Sequence, residues 1–338
     1  MSGVLSWLVW PCIVALPLAL TQEFYKPLHY SQVFPRSWYE ENAPEYQRWP
    51  SPLGLSLGLA AVVVGQLGML LYFVYVARPS GLRTATAAAT STDSDDDNGK
   101  VGKGKDKDKA AYAYVSIQKD GARPYELREG LLTHLAQPEG FILLGSYLVG
   151  TWMMGWMPRS YYSFSGGINW LHVALQLLLQ DGIQYAMHML EHTVKGGVSK
   201  VPLLGVEVKW PFNLYAASHK PHHRFTNPRL FDAFNGSAAD TFLMILVPLF
   251  ATAHIVDTNV WSYMAFGSLY ANWLTLIHSE YHHPWEPLFR LLGLGTAADH
   301  HVHHKLFHYN YGHLCMYYDW VFGTYRDPNN VQYFNRGL

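Results

Sequence analysis

The stretch QDGIQYAMHMLEH, Gln180–His192, ends a helical pattern in two histidines. His188 and His192 are four residues apart, which puts both imidazoles on one helix face, and Asp181 and Tyr185 continue that face one and two turns earlier. The residues before it, Ile168–Met187, form an apolar segment suited to a membrane span. The reading is a helix that crosses hydrocarbon and delivers metal-ligating side chains at its end.

Composition agrees with a membrane setting. Of 338 residues, 49% are hydrophobic and 14% charged, against about 25% charged in an average soluble protein. Aromatic residues reach 15%, with 12 Trp and 23 Tyr, whose half-apolar rings suit the boundary between lipid and water. A formal net charge of -1 supplies no basic field for nucleic acid. Two cysteines, Cys12 and Cys315, are too few for a disulfide framework.

The longest apolar run, Pro52–Ala77, carries no charge and is long enough to cross about 30 Å of hydrocarbon. Further candidate spans are Phe141–Met157, Thr241–Ile255 and Val260–Ile277. Met1–Leu20 is apolar but lacks a positive start, and Pro11 and Pro17 interrupt it, so it reads as a retained membrane helix rather than a cleaved signal. Thr84–Lys109 is a polar, low-complexity stretch with nothing to bury and is expected to be a linker. The expected division is a membrane-anchoring segment over residues 1–83, a cytosolic linker over 84–128 and a catalytic domain over 129–338.

Residues 78–128 hold ten Lys and Arg, whereas residues 21–52 hold Lys26, Arg36 and Arg48. Basic loops stay on the cytosolic side. Two returning hairpins of spans then bring every histidine cluster to that one face. The fold expected is an all-α integral membrane bundle capped by a cytosolic, histidine-rich, metal-binding segment from Arg290 onward.

Four clusters carry the chemistry: His188 and His192; His219, His222 and His223; His278, His282 and His283; and His300, His301, His303 and His304, with His308 and His313 trailing. Imidazole is a neutral nitrogen ligand for iron, zinc and copper. Eight or more converging nitrogens exceed the needs of one ion and imply two. The HExxH pattern of a catalytic zinc helix is absent, because Glu191 precedes the second histidine rather than following the first. A redox-active pair near hydrocarbon points to oxygen activation.

These motifs resemble the fatty acid hydroxylase and sterol desaturase superfamily of membrane di-iron enzymes. The matching patterns are HxxxH at His188–His192, HxxHH at His219–His223, HxxxH at His278–His282 and HxxHH at His300–His304, with the tail FHYNYGHLCMYYDWVFGTYRDP from Phe307 to Pro328. The resemblance implies a ligand set of His188, His192, His219, His222, His223, His278, His282, His300, His303 and His304 around two iron ions, with His283 and His301 as adjacent extras. It also implies O2 as co-substrate and electrons from NAD(P)H through cytochrome b5 or its reductase, supplied in trans at the endoplasmic reticulum membrane. Asp181 and Glu280 are the expected catalytic carboxylates, Asp181 as acceptor for a ligand imidazole N–H. Asn310, Tyr311 and Gly312 are expected to shape a turn, with Gly312 taking an unusual backbone angle, and Asp319 and Trp320 to hold the cap together.

HKPHHRF and the tail are most similar to sterol C-5 desaturases, so the expected reaction is sterol C-5 desaturation by O2-dependent attack on an unactivated C–H bond. Met189 and Thr193 stand where many sterol enzymes have Arg and His. Oxidation of a fatty-acyl chain, a terpenoid or another specialised metabolite is the alternative. A lipid-binding membrane protein without turnover is a remote one.

Overall fold

The computed structural model describes residues 115–121, 156–162, 166–200 and 205–336, with isolated positions at 71, 74 and between 143 and 151. The Met1–Leu20 segment, the Thr84–Lys109 stretch and nearly all of Pro52–Ala77 lie outside the described residues.

Helix α1, Trp170–Thr193, starts where the Asn169 side chain accepts the backbone N–H groups of Leu171 and His172, replacing two of the helical bonds that a first turn lacks. Its amphipathicity is inverted. Leu171, Leu175 and Leu178 are exposed, while Gln176, Gln180, Gln184, His188 and His192 are buried. A helix in water would place those leucines inside.

Helix α2, Ala238–Ile255, is long and apolar enough to cross a membrane, with a mean hydropathy of 1.6. The Ser237 side chain caps it by accepting the Asp240 N–H, and a π-turn over Phe242–Leu246 widens its first half. Helix α3, Val260–Leu276, begins at Asn259, whose side chain accepts the Ser262 N–H. Both α2 and α3 pack on α1. Val173, Leu249, Ala253, Tyr263, Phe266, Tyr270, Leu274 and Ile277 form the main apolar core between them.

Between α1 and α2 the chain makes an antiparallel hairpin of β1, Lys195–Lys200, and β2, Glu207–Asn213. The remaining helices are short: α4, Glu286–Leu291; α5, Ala297–Leu306; and α6, Tyr317–Phe322. Helix α5 opens on a capping box, in which the Thr296 hydroxyl accepts the Asp299 N–H and the Asp299 carboxylate accepts the Thr296 N–H.

The C-terminal cap docks on α1 at Gly182. A Cβ there would lie 2.5 Å from the Tyr318 hydroxyl, which donates to the Leu178 carbonyl at 3.1 Å. Beneath the cap, Ile117, Ala298, Val302, Val331 and Phe334 form a second core. Residues 115–121 therefore belong to the cap, although the linker was expected to run to residue 128. Ile117 is an apolar residue with a place to bury, and its backbone pairs with Glu280 and Asn335.

Candidate metal centre

Five imidazoles, His188, His192, His219, His223 and His303, offer nitrogens all within 4.8 Å of one another, and so do the four of His222, His278, His300 and His304. All nine are buried. They come from the end of α1, the turn at 219–223, His278 two residues beyond α3, and α5. Within α5, His300 and His304 are one turn apart and serve one group, while His303 serves the other.

The rings are aimed by bonds at their outer edges. Nδ1 of His188 donates to the Tyr311 carbonyl at 2.8 Å, that of His303 to the Tyr309 carbonyl at 2.9 Å, and that of His278 to the Leu274 carbonyl at 2.7 Å. His222 donates to the Asn235 carbonyl at 3.4 Å, and His219 to Asp240 Oδ1 at 2.7 Å. A carbonyl can only accept, so each such ring carries its proton on Nδ1 and turns an Nε2 lone pair inward.

Those inward nitrogens face each other. Nε2 of His188 and His219 are 2.9 Å apart, as are those of His192 and His223 and of His223 and His303. In the second group, His278 and His300 stand at 3.0 Å, and His300 and His304 at 3.1 Å. For His278 opposite His222, whose inward nitrogens are 3.4 Å apart, both outer protons are committed to carbonyls, so no neutral imidazole proton remains to bridge the gap. Burial and the neighbouring imidazoles hold His219, His223 and His300 well below the usual histidine range, which removes imidazolium as a remedy.

A cation resolves the facing lone pairs, so the donor set fits a metal. With metal–nitrogen bonds of about 2.1 Å, ligands at right angles stand about 3.0 Å apart and tetrahedral ones about 3.4 Å. The contacts run from 2.9 Å to the 3.4 Å between His222 and His278, so they span both spacings. The cluster is compatible with non-haem iron.

Several expected site residues are placed differently. His282 is in neither group: its Nδ1 is 2.9 Å from Glu286 and its Nε2 3.1 Å from the Asn335 carbonyl. The HxxxH spacing fails there because α3 ends at Leu276 and Tyr281 is extended, pairing with Ser116. Only a continuous helix keeps residues four apart on one face. Glu280 does not reach the imidazoles either; its carboxylate accepts the Leu230 N–H at 3.3 Å, and burial pushes its carboxyl up to about 7. Asp181 accepts no imidazole N–H. It takes the backbone N–H groups of His313, Leu314 and Cys315 and the Cys315 thiol. It thereby ties α1 to the loop under the cap. His301 bridges Gln118 and the Ser279 carbonyl, and His283 stacks on Trp285.

The carboxylate that does meet a clustered imidazole is Asp240, with Glu191 3.6 Å from the same His219 nitrogen. Sequence reasoning missed Asp240, although a lone acid one residue before an apolar span was a usable sign. His313 was taken as trailing, yet it packs between His188 and His300, with ring centroids 4.9 and 5.1 Å away. Gly312 is special for proximity rather than for its backbone angle. A Cβ there would sit 2.4 Å from the Cys315 carbonyl, and the left-handed angles belong to Phe307 and Asn310. Asp319 does hold the cap, accepting the N–H groups of Tyr311 and Gly312.

A cavity touches both histidine groups. His219, His222, His278 and His313 line it together with Gln184, Asp240, Met244, Ile245 and Leu274. The fold and site together define a mostly helical protein with one spanning-length helix and a buried, histidine-rich candidate metal centre beside a small cavity. Residues 173–324 match the model of the fatty acid hydroxylase family. The chain is 50% identical over 332 residues to the alternative squalene epoxidase of Phaeodactylum tricornutum, covering 97% of this chain and 82% of that protein. It is 29% identical to a Delta(7)-sterol-C5(6)-desaturase of Nicotiana tabacum over 48% of this chain and 53% of that protein. It is 27% identical to a very-long-chain aldehyde decarbonylase of Oryza sativa over 48% of this chain and 57% of that protein. The chain belongs to the fatty acid hydroxylase family, in the superfamily shared with the sterol desaturases. No solved structure matches it.

Proposed function

We propose that this protein is a membrane-embedded, two-iron oxygenase that epoxidises squalene. The observation that carries the reading is the 50% identity to the alternative squalene epoxidase, which extends over 97% of the chain and so includes the whole histidine constellation. The cavity, at about 40 Å³, is too small for squalene as a whole, but Met244, Ile245 and Leu274 give it an apolar wall beside the imidazoles, which suits one hydrocarbon alkene of such a chain.

Each imidazole group would hold one iron: His188, His192, His219, His223 and His303 the first, and His222, His278, His300 and His304 the second. Iron supplies O2 activation when bound. The chain's own part is positional. The outer hydrogen bonds orient His188, His219, His222, His278 and His303, and Asp240 would hold the proton on His219 Nδ1. Electrons come in trans from NAD(P)H through cytochrome b5 or its reductase. The inverted α1 and the apolar α2 support a multi-pass bundle, and the basic loop over residues 78–128 supports a cytosolic active face at the endoplasmic reticulum.

Expression in a host whose own squalene epoxidase is deleted tests the proposal. Growth restored without sterol supplementation, together with a squalene product carrying one oxygen from 18O2, is the expected result. Sterol C-5 desaturation is the second reading, favoured by the match to the tobacco enzyme. Formation of a 5,7-diene in a C-5-desaturase-deficient host, with squalene untouched, would establish it instead.

A further inference from the structure

Helix α1 presents glutamines at 176, 180 and 184, one turn apart and each about 6 Å further along the axis, and the next turn of the same row brings His188. All three glutamines are at most 1% exposed. They point into the bundle while the leucines of α1 point out, so the most polar face of the helix lies in its driest surroundings.

Their hydrogen bonding is incomplete. Gln180 Oε1 accepts the Thr252 hydroxyl at 3.0 Å, and Gln184 Nε2 donates to the Met244 carbonyl at 2.9 Å, inside the π-turn of α2. Both polar atoms of Gln176, Nε2 of Gln180 and Oε1 of Gln184 are buried with no hydrogen-bond partner. The Tyr270 hydroxyl lies beside Gln180. Buried amides are rarely left unmatched, and a polar, buried site with several open donors and acceptors is where proteins keep ordered water. Of the three glutamines Gln184 lines the cavity that touches both histidine groups, so it is at this end that water on the row would meet the reaction site.

We infer that the column Gln176–Gln180–Gln184 holds a file of ordered waters within the bundle that reaches the cavity at the metal centre and relays protons to it. The relay rests on the oxygenase reading; the hydration does not. Epoxidation balances as alkene + O2 + 2 electrons + 2 protons → epoxide + water, the electrons coming from a one-electron protein donor. The inward nitrogens of His188, His222, His278 and His303 are lone pairs with no proton to give, and the protons consumed must be carried in. A water file supplies them and accepts the water formed, while the leucine face keeps the lipid side dry.

Two measurements on the metal-loaded, detergent-solubilised protein test the inference. X-ray radiolysis labels side chains beside ordered water. Tyr270 and Met244 are expected to be modified despite their burial, Phe266 is expected to be spared, and the Gln176→Leu/Gln180→Leu variant should lower the Tyr270 and Met244 rates about tenfold. Absence of modification at both positions in the native protein would overturn the water file, and this arm needs no substrate, so it stands apart from the epoxidase reading. With squalene, the same variant should retain full iron content, show a larger solvent isotope effect, and yield severalfold less epoxide per electron pair. Unchanged isotope effect and coupling in a variant shown to be dry would overturn the relay.

Discussion

His219 carries the heaviest load of any single side chain, because its Nε2 faces His188 while its Nδ1 is held by Asp240. Replacing it with alanine should abolish turnover while leaving membrane insertion intact, read as activity against the membrane-fraction yield. Asp240→Asn keeps the shape but weakens control of the ring proton, and should cost about 10- to 100-fold in metal affinity, measured by competition with a chelator. The two histidines of the third motif should separate cleanly. His278→Ala is expected to lose bound iron, because its Nε2 faces His300. His282→Ala is expected to keep iron and instead destabilise the fold by about 1–3 kcal/mol, since it leaves the buried Glu286 Oε2 without its imidazole partner. Metal analysis and thermal melting of the two variants, side by side, check this. The spacing alone made these two residues look equivalent, and nothing local marked where the helix would stop.

At the level of elements, the loop between α5 and α6 decides whether the centre holds its shape. Its Tyr309 and Tyr311 carbonyls orient His303 and His188, Asp181 grips its far side, and Asp319 takes the N–H groups of Tyr311 and Gly312. Gly312→Ala would press a methyl group into the Cys315 carbonyl. A loss of about 1–3 kcal/mol in stability is expected from such overpacking, with a drop in iron content because the Tyr311 carbonyl moves with it. The sequence pointed to this loop through YNYGH and DWVFGTY but misassigned the cause. Gly312 was read for its backbone angle, whereas the requirement is the close approach of a carbonyl and a carboxylate from residues further along the chain.

Across the whole molecule, the cap is coupled to pH through Asp319. Burial, opposed by the Thr324, Gly312 and Tyr311 hydrogen bonds, pushes its carboxyl up to about 6 from the usual 3.8. Between those values the folded protein holds a proton that the unfolded chain has released. The linkage slope is therefore negative, and stability contributed by this group falls as pH rises from about 4 to about 6, by about 3 kcal/mol at most, and is flat above that. Asp319→Asn should remove that dependence, so the wild-type-minus-variant difference in stability should fall as pH rises from about 4 to about 6 and stay level above it, measured by melting at a series of pH values in matched iron-loaded samples.

Local chemistry written in the chain was enough to announce the helices at Ile168–Met187, Thr241–Ile255 and Val260–Ile277 and the clustered imidazoles, because apolar runs and one-turn spacings are properties of neighbouring residues. Which histidines stand together was decided only in three dimensions. His303 leaves its neighbours His300 and His304 to join His188 and His219, and His282 turns away to Glu286. Asp240 reaches His219 across 21 residues, and Asp181 holds a loop more than 130 residues away. The physical reason is that a ligand set is a matter of distances between atoms of a few ångströms, fixed by where helices end and how they pack, and sequence separation carries no record of either.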